Sequence, residues 1–302
     1  MITNNKKKIF AVTSLIAIVL TWYLFIKKND YEINFKVKAS TGTIYQGIVD
    51  WTKDRENNNN EKYTVIEHKQ FNSLVHKMTA NNLVLLYNWK IENINDSITK
   101  VVVGINNREH KTWTRLSAPF KSEFIKKEIE KIKTFKTGLE DHLATFKIGK
   151  VAEGSSPEVY VAYITLESVL AKKAQTMIGN DNVITGYLNN NHIKIIGKPI
   201  SEVTNLDLEN EKLTFNYCFP IDKNTTYIDD KRVKFKTIMA KKGLKIDYFG
   251  NYRTSDRAWF AVLDYAKKNN IDFKGLPIEH YQNNPFNGGS EIEWRTEILY
   301  PY

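Results

Sequence analysis

Glu297 is the residue whose type and position could do chemistry. It sits inside residues 294–301, a strand-like run that ends Thr296-Glu-Ile-Leu-Tyr-Pro301. A carboxylate in a buried strand is costly without a partner. It is therefore expected to face a cleft and meet a cationic or hydrogen-bonding ligand, or else to pair with Arg295 or Arg253 or point into water. Tyr252, Tyr281, Trp294, Tyr217 and Tyr163 are the candidate walls. Their rings suit apolar and cationic ligands, and their polar tips offer hydrogen bonds. Each also reads as a core residue. His280, next to Tyr281, could assist acid–base work. The other histidines, His68, His76, His110, His142 and His192, show no metal-ligand spacing, and no GxSxG, Walker or GxGxxG pattern occurs. No catalytic residue, metal or cofactor is assigned. Cys218 is the one cysteine, placed in an apolar strand as a small buried residue.

An internal repeat should position these residues. Gly197-Lys-Pro199-Ile200 recurs 78 positions later as Gly275-Leu-Pro277-Ile278. Each copy is followed by a strand that ends in proline, at Pro220 and Pro301. Counting back from these prolines, Asn216 is the counterpart of Glu297. An apolar strand and a helical stretch precede each Gly-x-Pro. Two strand–helix–strand–strand units, about 157–221 and 233–302, would pair into one antiparallel sheet with a central groove at their seam. Trp259, Val262, Leu263 and Ala266 form one stripe of a helix over 257–269, with Ser255 as its N-cap.

Tyr248-Phe-Gly-Asn-Tyr-Arg253, Ala258-Trp259, Gly275-Leu-Pro277, Tyr281, Pro285, Thr296-Glu-Ile298 and Pro301 resemble the GyrI-like small-molecule-binding domain, also called the AraC-type bacterial effector-binding domain. The resemblance covers 146–302. It implies duplicated halves, a ligand groove, and a ligand or catalytic contact at the last-strand glutamate. Some members hydrolyse reactive small molecules, so a hydrolase using Glu297 is the alternative to a binding protein.

Residues 30–145 show a different order. Residues 31–38 alternate as a strand, and Ser40 or Thr41 caps a short helix through Ile48. A polar loop follows over 49–61, then strands at 63–69, 71–78, 83–92 and 98–105, and a possible strand at 111–116. A long helix over 122–143 carries Phe124, Ile125, Ile129, Ile132, Phe135, Leu139 and Leu143 at three- and four-residue steps. Its interleaved lysines and glutamates read as a solvated face. This segment resembles the START-like (SRPBCC) superfamily through Lys36-Val-Lys-Ala-Ser-Thr-Gly-Thr-Ile-Tyr45, Arg115-Leu-Ser-Ala-Pro-Phe120 and Gly138-Leu-Glu-Asp-His-Leu143. The resemblance implies a helix-grip fold, with a cavity for lipid or another apolar molecule. The fold class is α+β throughout.

A basic tail, 1–8, precedes an uncharged 18-residue run over 9–26. That run is just long enough to span a bilayer. It ends in bulky residues and Lys27-Lys28 rather than a small-x-small cleavage site, so it reads as an uncleaved transmembrane anchor. The basic tail favours a single-pass cell-membrane protein with its soluble part on the outer, periplasmic side. The net charge of +10 comes from lysines scattered among glutamates, and no helix-turn-helix or zinc-finger pattern is present. The expected partners are a small organic molecule, cationic or apolar, and a membrane. No nucleic acid is expected, and no protein partner is implied.

Overall fold

The computed structural model describes residues 2–58, 61–80, 83–95, 98–283 and 288–302. Pro285 of the motif, and residues 59 and 60 of the expected polar loop, lie outside the described residues. The chain divides into two compact α+β units, Met1–Glu140 and Asp141–Tyr302.

The first unit opens with helix α1 (Ile2–Thr21), extended by a wider turn over Trp22–Ile26. An 18-residue window within Lys6–Ile26 has a mean hydropathy of 2.4, which makes this helix long and apolar enough to cross a membrane. Then come β1 (Tyr31–Val37), α2 (Thr41–Asn58), β2 (Lys62–Lys69), β3 (Ser73–Ala80), β4 (Leu83–Asn93), β5 (Thr99–Asn107), α3 (Lys111–Ser117) and α4 (Glu123–Ala144). The strands form one antiparallel sheet in the order β1-β5-β4-β3-β2. Ile44 and Ile48 of α2 and Ile132, Phe135 and Leu139 of α4 are buried. Trp51, Trp89 and Phe135 meet edge-on or tilted at 5.3–5.8 Å between centroids, so the space beneath α4 is filled by packed rings.

Three local expectations change. The helix that starts at Thr41 does not stop at Ile48. It runs to Asn58, because Trp51 and Thr52 continue its buried face and Arg55 pairs with Glu61 at 2.6 Å. Residues 111–116 form a helix rather than a strand, because Thr114 and Arg115 must face the protein together. The charged residues of α4 are not all solvated either. Glu128 is buried, with Lys131 at 3.2 Å and the Tyr87 hydroxyl donating to it.

His76 of β3 is buried, its Nδ1 has no partner among the described residues, and burial pushes its pKa down to about 4. An unfolded histidine titrates near 6.5. The unit should therefore be fully stable above that value and lose stability as the pH falls towards about 4. Denaturation midpoints measured across this range should show a slope in the native protein that His76→Phe removes. An unchanged slope would refute the assignment.

The second unit holds β6 (Lys147–Ile148), β7 (Ala152–Ser156), β8 (Val159–Val169), α5 (Lys173–Asn190), β9 (Ile200–Asp207), β10 (Lys212–Pro220), β11 (Lys234–Ile238), β12 (Lys241–Phe249), α6 (Asp256–Asn269), β13 (Ile278–Tyr281) and β14 (Arg295–Pro301). Its sheet runs β11-β8-β10-β9-β13-β14-β12-β6, with β7 also on β12. Every named pairing in this sheet is antiparallel. The middle pairing sets Ile278 against Glu202, Glu279 against Ser201 and His280 against Ile200.

The sheet is curled. Ser156 ends β7 beside β12 near one edge, and Val159 already begins β8 near the other. Three Cα steps span at most about 11 Å, so the two edges lie close together and the sheet bends through a part-barrel.

Candidate functional site

Cross-strand partners point to the same face of a sheet, so the register sorts the candidate residues. One row reads Tyr163, Cys218, Ile200, His280, Glu297, Asp247 across six strands. The next row on the other face reads Ile164, Tyr217, Ser201, Glu279, Ile298, Ile246. The second face carries the helices: Tyr217 donates to Asp181 of α5 at 2.9 Å, and Trp259 of α6 donates to Glu279 at 2.9 Å. The first face carries no helix among the described residues.

The six candidate residues therefore do not line one groove. Glu297 and Tyr163 share the helix-free face, but four strand spacings, about 19 Å, separate them along the sheet. Tyr281 and Tyr217 lie under the helices. Tyr252 packs its ring on Tyr281 at 4.7 Å and on Trp294 at 6.0 Å, and Tyr217 interacts electrostatically with both tyrosines. Burial raises the Tyr217 and Tyr281 pKa values well above the ordinary phenol range, with Asp181 and Glu279 adding to the effect. Both are packed hydroxyl donors. Tyr163 instead lies beneath the Lys236 ammonium, 4.7 Å from its ring centroid.

Glu297 opens into a cavity of about 260 Å³ on the helix-free face, with Ser156, Pro157, Lys245, His280, Gln282 and Leu299 in its wall. Gln282 donates to Glu297 at 2.7 Å, Lys245 forms an ion pair with it, and Arg295 stands 3.7 Å away. Partial burial pushes the Glu297 pKa up. Lys245 and Arg295 outweigh this and hold it below the ordinary value, so the group is an anion at neutral pH. Burial lowers the His280 pKa, which keeps that ring neutral. His280 Nε2 and the Ser156 hydroxyl are buried atoms with no hydrogen-bond partner among the described residues. Next to them the face is apolar, with Val161, Ile200, Cys218, Ile238 and Ile278 in one buried cluster. Burial raises the Cys218 pKa strongly, so the thiol stays protonated and serves as packing. Asn216, the counterpart of Glu297, accepts from Thr165 at 2.8 Å and donates to Glu202 at 3.0 Å.

The sequence reading passed over Glu279. It is fully buried under the helices, and its carboxylate is saturated. Oε1 accepts from Ser255 at 2.8 Å and Trp259 at 2.9 Å, while Oε2 accepts from Tyr281 at 2.5 Å and from Lys173. Lys173 also stands 4.4 Å from the Trp259 ring centroid. Ser255 precedes α6 as expected but does not cap it, since its hydroxyl turns to Glu279 instead. One signal was available. Glu279 is two residues before Tyr281 in an alternating strand, so the two must share a face.

No family model matches the chain, and no curated protein matches it. Solved structures that align with part of this chain include the EcmrR C-terminal domain, at 15% identity and a TM-score of 0.45, covering 51% of this chain and 96% of that one. A hydrolase encoded by lin2189 from Listeria innocua aligns at 10% identity and a TM-score of 0.37, covering 54% and 95%. SAV2435 bound to tetraphenylphosphonium aligns at 13% identity and a TM-score of 0.34, covering 50% and 93%.

Proposed function

We propose that this is a membrane-anchored protein whose second unit is a GyrI-like module of two strand–helix–strand–strand halves, β8-α5-β9-β10 and β12-α6-β13-β14, and binds a small organic molecule at Glu297. The observation that carries this reading is the 260 Å³ cavity, which joins the Glu297 carboxylate to two unpartnered polar atoms, on His280 and Ser156. That volume lies just below the usual range for ligand sites, roughly 300–1,000 Å³. The ligand would be fragment-sized. It would rest apolar atoms on Leu299 and exchange hydrogen bonds with His280 and Ser156. Lys245 already pairs with Glu297, and Arg295 pairs with Asp247 beside it at 3.1 Å, so an uncharged or zwitterionic molecule fits better than a simple cation.

A hydrolase has less support, because an anion held by two cations is a weak general base. The helix-grip reading of the first unit remains part of the proposal as a fold. Lipid storage there has less support, because Trp51, Trp89 and Phe135 fill the space under α4. The Lys6–Ile26 helix would be the anchor, and the basic tail over 1–8 favours an arrangement with the soluble units on the outer side.

The test is thermal unfolding of the full chain in detergent against neutral, zwitterionic and cationic fragments, with tetraphenylphosphonium as the cationic probe. A ligand at about 100 times its Kd should stabilise the second unit by about 2.7 kcal/mol. Glu297→Gln should weaken binding at least severalfold. A ligand that stabilises both forms equally would remove Glu297 from the site.

A further inference from the structure

We propose that α3 and the turn after it form a second, interfacial membrane contact. Trp113, Leu116 and Phe120 would lie in the boundary between lipid headgroups and acyl chains, with Arg108, Lys111 and Lys121 on anionic headgroups. The inference rests on the reading of Lys6–Ile26 as a membrane span.

The apolar side of this segment is open. Trp113 is 71% exposed, Leu116 46% and Phe120 85%. Their spacing of three and then four residues puts them on one side of the helical segment. Thr114 and Arg115, on the other side, are buried. Isolated exposed apolar residues need no explanation, but three aligned large ones mark a contact surface.

Arg115 sets the level of that surface. Its guanidinium is fully buried, 2.7 Å from Asp30. It donates to the carbonyls of Leu24 at 2.8 Å, Tyr23 at 3.2 Å and Lys27 at 2.5 Å. The Tyr23 hydroxyl donates back to the Arg115 carbonyl at 2.9 Å. These carbonyls end the helical run, and a cation is favourable there. Ile26 is the last apolar residue before Lys27 and Lys28, so the clamp marks where the chain leaves the hydrocarbon. The α3 segment packs directly on Trp22–Ile26. It is therefore held at the depth where tryptophan is enriched in membrane proteins.

Charge selects a lipid partner over a protein one. Arg108, Lys111 and Lys121 are exposed around the apolar side, against the single exposed acid Glu109 in that stretch. Basic groups are attracted to anionic headgroups, and an amphipathic helix with a basic rim lies in the interface plane.

The test places an environment-sensitive fluorophore on Phe120→Cys in the full chain, reconstituted in vesicles of neutral and anionic phospholipid. Cys218 is buried, so it does not compete for the label. Leu15→Cys, within α1, reports the span itself. The label at 120 should lose most of its emission to lipid carrying a headgroup-level nitroxide and little to aqueous iodide. The label at 15 should respond to a nitroxide deep in the acyl chain. If 15 is reached by lipid and 120 only by iodide, the interfacial contact is refuted while the span stands. If lipid reaches neither, both readings fall. If 120 is shielded from lipid and iodide alike, protein covers it and the proposal is wrong. Trp113→Cys gives the same reading from a second exposed position.

Discussion

Lys173→Met is expected to destabilise the second unit by roughly 3–5 kcal/mol, because it leaves a buried carboxylate without its counter-charge. Glu279 is fully buried, and Ser255, Trp259 and Tyr281 supply neutral donors only. Three neutral hydrogen bonds do not replace an ammonium in a site without water access. The pair need not be stabilising as a whole. Replacing a buried ion pair with apolar residues is often neutral or better, but Glu279→Leu also takes the acceptor from the Trp259 N–H, so Lys173→Met combined with Glu279→Leu should recover only part of the loss. The two units need not unfold together. The readout is therefore urea unfolding followed by pulsed hydrogen exchange on peptides from each unit. A single variant within about 1 kcal/mol of the native protein would show that the pair is not buried as described.

Arg115→Met should cost the first unit a comparable amount. The substitution leaves Asp30 buried and removes the donor that serves the Tyr23, Leu24 and Lys27 carbonyls. Asp30 also accepts from the Asn107 backbone at 2.8 Å, so the loss should spread to β5. Arg115→Lys keeps the charge, but a single ammonium cannot reproduce a planar fork that reaches four groups at once. It should recover only part of the stability. Peptides covering 22–30 and 99–107 should lose exchange protection together, while those of the second unit stay protected. Full protection of both segments in Arg115→Met would refute the clamp.

The elements that follow from local pattern were legible in the sequence. The seven-, three- and four-residue steps of Ile125, Ile132, Phe135 and Leu139 specify α4, because a helix returns a side chain to one face every 3.6 residues. The stripe of Trp259, Val262 and Ala266 specifies α6 in the same way. The uncharged run before Lys27 is a membrane-length helix on composition alone. Proline and glycine spacing marks where β9, β10, β13 and β14 begin or end.

Partners and faces were not legible. Alternation shows that Glu297 and Thr296 point opposite ways, but not which side the helices cover. Only the register of β13 with β9 and β14 decides that His280 joins Glu297 while Glu279 goes beneath Trp259. The curl of the sheet brings Ser156 to the cavity, although it is far from Glu297 in sequence. At 111–117, burial of Arg115 against the end of the apolar helix decided for helix over strand. In each case the sequence by itself determined the period of the backbone and the place of each charge along it. The tertiary structure decided which charges meet, because burial requires every polar group to find a partner and those partners lie far away along the chain.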